Sequence, residues 1–150
     1  MRTAPWSDDV CPIARAMSVL GQRWAILIVR EAMLGRTRFT EFREQLGLSP
    51  DVLSARLSEL VAIGVLEEQD YREPGDRTRT HYLLTPSGHD LLSVLAALGQ
   101  WGHLHLPRPD SSRYRLIEQS TGESVGVAFG RRDGSRVPTA EVALMAPAAR

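Results

Sequence analysis

Residues 39–66 read FTEFREQLGLSPDVLSARLSELVAIGVL, and this stretch decides the fold. Apolar residues recur at helical spacing on both sides of a Gly-Leu-Ser turn, so the pattern predicts two short amphipathic helices. In the first helix we expect Thr40 to be the N-cap, Phe39 to be a hydrophobic staple, and Phe42 and Leu46 to pack inward. Two helices joined in this way form a helix-turn-helix.

The second helix has well-marked limits. Ser49 supplies an N-cap oxygen, Pro50 suits the first helical position, and Gly64 ends the helix. Its predicted core stripe consists of Leu53, Leu57 and Leu60, flanked by Val61 and Ile63. Its outer face is small and polar and consists of Asp51, Ser54, Ala55, Ser58 and Ala62. A stiff helix with such a face is suited to a DNA major groove, which predicts a recognition helix.

A β-hairpin is predicted to follow the recognition helix. We expect strands at Leu66–Arg72 and Arg79–Leu84, joined by a turn at 73–76 that contains a Pro-Gly pair. Alternation divides the side chains of the return strand into two faces, with Tyr82 and Leu84 on one and Arg79, His81 and Leu83 on the other. This hairpin is a wing, and its tip carries Arg77, Thr78 and Arg79.

Two helices are predicted before the helix-turn-helix. Pro12 begins the first, and Gly21 ends it. The second, Trp24–Leu34, reads WAILIVREAML and is apolar nearly all round, which predicts a helix buried at the centre of the domain. We expect Arg30 and Glu31 within it to pair with partners at the helix surface.

A long closing helix is predicted to begin at Thr85 and Pro86 and to run to about Leu104. The terminal helices carry more Leu and Trp surface than one winged helix can cover, so we expect a homodimer. The predicted dimer interface consists of Ile13, Met17, Leu91, Leu95, Leu98 and Trp101. The alternative for the stripe from Leu91 to Trp101 is a pocket for a small-molecule effector.

These elements predict an α+β fold, mainly α, with a winged helix-turn-helix domain for DNA binding and dimerisation at 1–104. A Pro- and Ser-rich linker at 105–112 leads to a small β-rich extension at 113–150. Its segments RYRLIEQ, SVGVAFG and EVALMA predict a β-meander with turns at Thr121-Gly122 and Asp133-Gly134. The apolar face of the meander is too small for an independent core, so we expect it to pack on a winged-helix domain. That face consists of Val125, Val127 and Phe129.

The chain resembles the HxlR family of bacterial winged-helix transcription regulators over about residues 11–104. The most specific matches are Cys11-Pro12, Gly21-Gln22-Arg23-Trp24 and the REAMLG run that starts at Arg30. Further matches are Arg38-Phe39, Phe42, Ser49-Pro50, Val52-Leu53, Arg56-Leu57, Leu60, Gly64, Tyr82-Leu84-Thr85-Pro86 and Gly88. The resemblance implies a homodimer joined through its first and last helices, with a recognition helix in each major groove of a palindromic operator.

The recognition helix departs from the family pattern. Family members commonly carry Lys, Gln or Arg where this chain has Asp51, Ala55 and Ser58. An acid can accept a hydrogen bond from a cytosine amino group, and a methyl group can contact thymine, so base readout remains possible. Because these contacts are few, we expect phosphate contacts to supply more of the affinity. The predicted DNA-binding residues are Arg36, Arg38, Thr40, Ser49, Asp51, Ser54, Ala55, Arg56, Ser58, Arg77, Thr78 and Arg79.

Cys11 is the only cysteine and lies directly before a predicted helix N-terminus. Such a position favours a thiolate, and some regulators of the HxlR type sense oxidants or electrophiles through a cysteine near it. A redox-sensing role for Cys11 is therefore one hypothesis, and a small buried or interfacial residue is the other.

Composition limits the function classes. The chain has 18 acidic residues and 18 basic ones, and all of the basic residues are Arg. A net charge of zero disfavours a non-specific nucleic-acid coat protein. No phosphate loop, nucleophile elbow or metal-ligand spacing is present, so we expect neither an enzyme nor a bound metal or cofactor. One cysteine and no membrane-spanning apolar run predict a cytoplasmic protein without membrane contact. The competing hypothesis is a winged helix used for protein contact, which the acid on the recognition helix favours.

Overall fold

The structure is a computed structural model that describes residues 11–72, 74–75, 78–109 and 114–145. Its helices are α1 (Pro12–Leu20), α2 (Arg23–Met33), α3 (Phe39–Leu46), α4 (Pro50–Ala62), α5 (Pro86–Asp90) and α6 (Leu92–His105). Its strands are β1 (Leu66–Tyr71), β2 (Arg79–Leu84), β3 (Phe129–Gly130) and β4 (Arg136–Val137), and a 3₁₀ turn spans Thr139–Glu141. The chain divides into a winged-helix unit up to Leu95 and a C-terminal unit from Ala96. The predicted α+β class is confirmed.

The core of the winged-helix unit lies where α2, α3 and α4 meet the base of the hairpin. The predicted stripe of α4 is confirmed, because Leu53, Leu57 and Leu60 are fully buried. Ile63, expected to flank that stripe, is exposed. The remaining core residues are Ala25, Ile28, Val29, Phe42, Leu48, Val65 and Leu66.

The predicted limits of α4 are confirmed. The Ser49 hydroxyl accepts a hydrogen bond from the Val52 N–H at 3.4 Å, which satisfies one of the free donors of the first turn. Gly64 has φ 75°, a left-handed conformation that suits glycine and stops the helix. The recognition helix is thus set in length and direction by its own local sequence.

The predicted N-cap of α3 is wrong. The helix begins at Phe39, so Thr40 is its second residue and Arg38 occupies the cap position. Glu41 performs the capping: its Oε2 accepts from the backbone N–H groups of Thr37 and Arg38, each at 2.9 Å. A carboxylate that accepts two N–H groups outcompetes a single hydroxyl at this helix start.

Glu31 in α2 also departs from the prediction. Its side chain lies inside the domain, with Glu31 only 3% exposed, and not at the helix surface. The adjacent Arg30 is its partner, donating from Nε at 2.9 Å and from Nη2 at 2.6 Å to Glu31 Oε1. A buried carboxylate requires such a partner, and the adjacent arginine has enough length to reach it.

The wing is an antiparallel hairpin that pairs Leu66 with Leu84 at its base and Tyr71 with Arg79 toward its tip. β1 ends one residue before the predicted limit. At the turn, Gly75 has φ 85°, whereas Glu73, Asp76 and Arg77 lie outside the described residues. The segment before α3 pairs with the edge of β2, where the Tyr82 N–H donates to the Thr37 carbonyl at 2.7 Å. This bond fixes the wing against the helix-turn-helix.

The predicted long closing helix is divided into α5 and α6 by a turn at Leu91. Thr85 caps α5 as expected, accepting from the Gly88 N–H at 3.1 Å. Gly88 packs so closely on the wing base that a Cβ there would lie 2.2 Å from the Val65 carbonyl oxygen. This contact docks α5 on the wing base, and α6 begins at Leu92 after the turn. α6 then continues through His105, which the sequence had placed in the linker.

The C-terminal unit has less strand than predicted. β3 and β4 form a hairpin whose turn contains Gly134 at φ 84°, and a single bridge joins Ile117 to Ser124. The predicted strand EVALMA is wrong: its start lies in the 3₁₀ turn, and 142–145 form no strand. The two predicted turns are confirmed. Val125, Val127 and Phe129 are exposed within the chain.

Candidate nucleic-acid interface

The outer face of α4 presents the side chains that the sequence predicted for base contact. Asp51, Ser54, Ala55 and Ser58 are all exposed, and Asp51, Ala55 and Ser58 follow one another at i, i+4 and i+7. Their short side chains bring the helix backbone close to any surface that it contacts. The face offers hydroxyl, methyl and carboxylate groups, so its chemistry suits thymine methyl groups and cytosine amino groups.

Arg56 does not join this face. Its guanidinium pairs with Glu59 one turn further along α4, and its side chain is 21% exposed. The structure therefore separates Arg56 from the other predicted DNA-binding residues of the helix.

Val52 is a candidate that sequence reasoning missed. It is 40% exposed on the first turn of α4, beside Asp51. The available signal was its spacing of i, i+3 to Ala55, which places both apolar groups on neighbouring positions of the outer face. Val52 and Ala55 together form a small apolar contact surface suited to thymine methyl groups.

Arg38, Thr40 and Arg79 meet in a cleft of about 290 Å³ between the start of α3 and the wing. We call it the wing cleft. Its lining consists of Arg38, Phe39, Thr40, Tyr71, Arg79, Thr80 and Tyr82. The Arg38 Cζ lies 5.2 Å from the centroid of the Tyr71 ring, a cation–π contact that holds the guanidinium at the edge of the cleft.

A polar cluster behind the wing cleft holds its walls together. His81 Nδ1 and Thr37 Oγ1 lie 2.7 Å apart and share a hydrogen bond. The His81 ring packs on the Tyr71 ring, with 3.9 Å between centroids. On the other side, Tyr82 packs edge-on against Phe42 of the core, with centroids 6.5 Å apart. The wing and the start of α3 therefore form one continuous surface.

Two titratable groups near this surface have shifted pKa values. The backbone N–H groups of Thr37 and Arg38 lower the pKa of Glu41, so that carboxylate stays charged beside the arginines. Burial, together with the nearby Glu68 charge, raises the pKa of Tyr82, so its hydroxyl keeps its proton. Near neutral pH, Tyr82 thus presents an uncharged phenol to a cleft that the guanidinium groups of Arg38 and Arg79 also line.

The other predicted contact residues are more scattered. Arg36 donates from Nη1 to the Leu34 carbonyl at 3.2 Å and does not line the wing cleft. Ser49 is exposed at the start of α4, and Thr78 is exposed just before β2. Arg77 lies outside the described residues.

Comparison with known proteins decides the family. The family model for HxlR-like helix-turn-helix proteins matches residues 19–110, which is more than half of the chain. The chain belongs to the HxlR-like helix-turn-helix family. It is accordingly a DNA-binding transcriptional regulator, and its curated relatives are named as regulators rather than enzymes.

One similar relative of this HxlR-like protein is the uncharacterised HTH-type transcriptional regulator Rv3095 of Mycobacterium tuberculosis. It is 38% identical over 111 residues, which cover 74% of this chain and 69% of Rv3095.

Two solved structures resemble the HxlR-like chain to different extents. PA1607, described as a candidate transcription factor, is 36% identical with a TM-score of 0.77, over 91% of this chain and 94% of that one. The reduced form of the transcriptional regulator YodB from Bacillus subtilis is 32% identical with a TM-score of 0.57, over 67% of this chain and 99% of that one. Because 91% exceeds the share of the chain in the winged-helix unit, the likeness to PA1607 extends into the C-terminal unit.

The predicted dimer residues of the HxlR-like protein fall into two groups. Ile13 and Met17 on α1, and Leu98 and Trp101 on α6, are exposed, with Trp101 57% exposed. The remaining two, Leu91 and Leu95, are half-buried and pack against the core of the winged-helix unit. The stripe from Leu91 to Trp101 therefore changes from core packing to exposed surface along its length.

Cys11 occupies the N-cap position of α1 and is half-buried. Its side chain makes no capping hydrogen bond to the helix. Neither a metal-binding cluster of three or more His, Cys, Asp or Glu residues nor a helix able to span a bilayer is found within the described parts of the chain.

Proposed function

We propose that this HxlR-like protein is a homodimeric transcriptional repressor that binds a palindromic operator in the cytoplasm. The observation that carries the proposal is the exposed outer face of α4 beside the wing cleft. One surface reads base edges in the major groove, and the adjacent arginines meet the phosphate backbone. Repression follows when the bound dimer occupies promoter DNA that polymerase requires.

Base readout is proposed to rest on α4. Ser54 and Ser58 bond base edges or phosphates, Val52 and Ala55 contact thymine methyl groups, and Asp51 accepts from a cytosine amino group. An acid so close to DNA weakens binding to every sequence that offers it no donor. Asp51 therefore acts mainly by rejecting incorrect sites.

Phosphate contacts are proposed to come from Arg38, Arg79 and Thr40 in the wing cleft, with Arg36 beside them. Guanidinium groups form forked hydrogen bonds with phosphate oxygens, which suits them to this role. Because the base contacts are few, the guanidinium groups supply much of the affinity for DNA. Operator binding therefore depends strongly on the salt concentration.

The homodimer is proposed to form through α1 and α6, since both carry exposed large apolar side chains. A two-fold symmetric pair of winged helices requires a palindromic operator with half-sites separated by about one helical turn. Ile13, Met17, Leu98 and Trp101 are the proposed contacts. Leu91 and Leu95 are proposed to support the start of α6 from within the winged-helix unit.

We also propose that the protein responds to oxidants through Cys11. The structures that resemble this chain include YodB in a reduced and a diamide-treated form and the redox regulator HypR in its reduced form. Cys11 is the single thiol of this chain, so an oxidant acting on one protomer leaves only an intersubunit disulfide, a mixed disulfide or an adduct.

The second candidate function is a winged helix that binds a protein partner, and the acidic Asp51 on the outer face of α4 favours it. Footprinting of the full-length protein on the DNA that flanks its own gene separates the two. We expect a protected palindrome at nanomolar to micromolar protein, with Ser58→Ala changing the preferred bases at about 1–3 kcal/mol per lost contact. Ser18→Ala on α1 is the matched control. Uniform binding to all DNA, or none, would favour the protein-binding alternative.

A further inference from the structure

His81 lies where the wing meets the segment before α3. It is half-buried on β2, and its backbone forms a bridge with Arg38. Its Nδ1 lies 2.7 Å from Thr37 Oγ1, and its ring packs on the Tyr71 ring of β1 with 3.9 Å between centroids. Histidine is the side chain whose charge ordinarily changes between about pH 5 and pH 8. A titratable group therefore lies inside the contact that positions the wing.

The hydrogen bond between His81 and Thr37 is compatible with both charge states of the ring. A hydroxyl group can donate or accept, so Thr37 Oγ1 can donate to a ring nitrogen without a proton and accept from a nitrogen that carries one. When the ring gains a proton, a positive charge is therefore added to this surface while the bond that holds the wing is kept.

The charged and titratable groups around His81, taken among the described residues, come from each element that packs near it. They are Arg79 of β2, Tyr71 and Glu67 of β1, Arg38 of the segment before α3, Glu41 of α3 and Glu31 of α2. By strand alternation, His81 shares its face of the hairpin with Arg79 and Tyr71, and Glu67 lies on that face toward the base.

The carboxylates of this set do not bond the ring. Glu41 accepts the backbone N–H groups of Thr37 and Arg38, and Glu31 is bonded by Arg30. Within the described parts of the chain, no carboxylate bonds the His81 imidazole. A proton added to His81 therefore finds no carboxylate partner in the protein, and the phosphate backbone of DNA is the anion that can compensate its charge.

We propose that operator binding takes up a proton at His81 of each protomer, so that affinity for DNA rises as the pH falls from about 8 to about 6. Phosphates near the wing favour the charged ring, and by linkage the proton favours the DNA-bound state equally. Charges interact over about 8 Å at physiological salt, so the ring needs no direct contact with a phosphate. The inference rests on the proposed contact between the wing and DNA.

The wild-type protein alone provides two measurements of this coupling. At fixed salt, operator affinity should rise about tenfold between pH 8 and pH 6, because two protons are taken up per dimer. Each protonated ring adds a cation beside the phosphate backbone, so the slope of log K against log salt should be steeper at pH 6 by up to about 1.8 per dimer. Both effects should be similar for all operators, since phosphates carry no base identity.

Fluorescence anisotropy of the full-length protein on an operator found by footprinting, at pH 6, 7 and 8, tests the assignment to His81. His81→Asn keeps a hydrogen-bonding group at the position of Nδ1 but cannot be charged. Its affinity should lie within about threefold of wild type at pH 8 and should rise less than about twofold at pH 6. His81→Lys carries a fixed charge, so it should bind at pH 8 about as tightly as wild type binds at pH 6, with little further change.

His89→Asn, which alters an exposed histidine of α5, is the matched control and should keep the wild-type pH dependence. Thermal melts at each pH check that the variants fold. A pH dependence that His81→Asn retains would place the proton uptake at another group and would overturn the proposal. Equal weakening of His81→Asn and His81→Lys at every pH would make His81 a purely structural residue.

Failure of the inference can be told apart from failure of the proposed function. Wild-type protein that binds its operator with the same affinity and the same salt slope at pH 6 and pH 8 would overturn the proton coupling alone, and this result needs no variant. Wild-type protein that binds no operator at any pH would contradict the proposed function, and the inference would fall with it.

Discussion

At the residue scale, Glu41 shows how one carboxylate organises the edge of the surface that is proposed to contact DNA. It accepts the N–H groups of Thr37 and Arg38 while Thr37 also bonds His81 and Tyr82 of the wing. The segment that Glu41 caps at the start of α3 is therefore also the segment that bonds the wing, through Thr37.

Glu41→Ala should lower the free energy of unfolding by about 1 kcal/mol at pH 7, the usual effect of losing a helix cap. The folded pKa of Glu41 lies below the ordinary value of 4.5. Its stabilisation is therefore present above that ordinary value and is lost as pH falls through the lower folded pKa. Urea unfolding from pH 7 to about pH 3 should show the wild-type advantage disappearing. Glu44→Ala, exposed on the same helix, is the control, and a pH-independent difference would contradict the assignment.

Arg79→Ala tests the phosphate contact at the wing. Loss of one phosphate contact per subunit removes two per dimer, so the slope of log K against log salt should flatten by about 1.8. Affinity should fall by a similar factor for all operator sequences, since phosphates carry no base identity. Arg132→Ala, an exposed arginine of the C-terminal unit, is the charge-matched control. An unchanged slope in Arg79→Ala would show that β2 does not touch DNA.

Cys11→Ser tests the redox proposal by fluorescence anisotropy on the operator. The variant should bind as tightly as wild type in reductant, because Ser preserves the size of the side chain. Diamide should release the wild-type protein from DNA and leave the variant bound. Wild-type binding that is the same with and without diamide would make Cys11 a structural residue.

At the scale of elements, the wing base is the point through which α5 and the recognition helix are connected. The Thr85 hydroxyl lies 2.5 Å from the Gly64 carbonyl oxygen, directly after α4, and Gly88 packs on Val65. The short α5 is thus held by the hydrogen bond of the Thr85 hydroxyl and by the close backbone packing that Gly88 permits.

Gly88→Ala and Gly99→Ala should have opposite effects on stability. At Gly88 the new methyl group would lie 2.2 Å from a backbone carbonyl oxygen, so we expect a loss of about 2–3 kcal/mol. At Gly99 in α6 nothing lies within 4 Å, so the substitution should stabilise the helix by up to about 1 kcal/mol. Thermal or urea unfolding measures both. Equal changes in the two variants would show that Gly88 does not dock α5 on Val65.

At the scale of the whole molecule, large apolar side chains remain exposed in both units of the chain. They include Ile13, Met17, Leu98 and Trp101 on helices and Val125, Val127 and Phe129 in the C-terminal unit. Large apolar side chains that are exposed within one chain are often covered in an assembly, so a second copy is the proposed partner of those on α1 and of those on α6.

Light scattering at micromolar concentration should give the mass of a dimer. Leu98→Glu places a charge in the proposed interface and should shift the mass to that of a monomer, with operator affinity falling at least about 100-fold because one half-site replaces two. Leu34→Glu, exposed after α2, is the matched control and should remain dimeric. A monomeric wild-type protein, or a dimer that Leu98→Glu does not affect, would contradict the interface.

Features that depend on near neighbours were predictable from the sequence. Ser49, Gly64 and the leucine stripe determine α4, because an N-cap, a left-handed stop and a 3.6-residue period all act within a few residues. The two strands of the wing followed from alternation, and the outer face of α4 from helical geometry alone. The family resemblance rested on the same local motifs.

Tertiary structure alone decided the features that join distant segments. The wing cleft brings Arg38 to Arg79, the burial of Glu31 requires the surrounding core, and α5 packs on the wing base where Gly88 meets Val65. The short β3 and β4 likewise show that alternation predicts a strand only where a partner strand is available to pair with it. Local pattern determines which element forms, and packing between elements decides which side chains are buried and which meet.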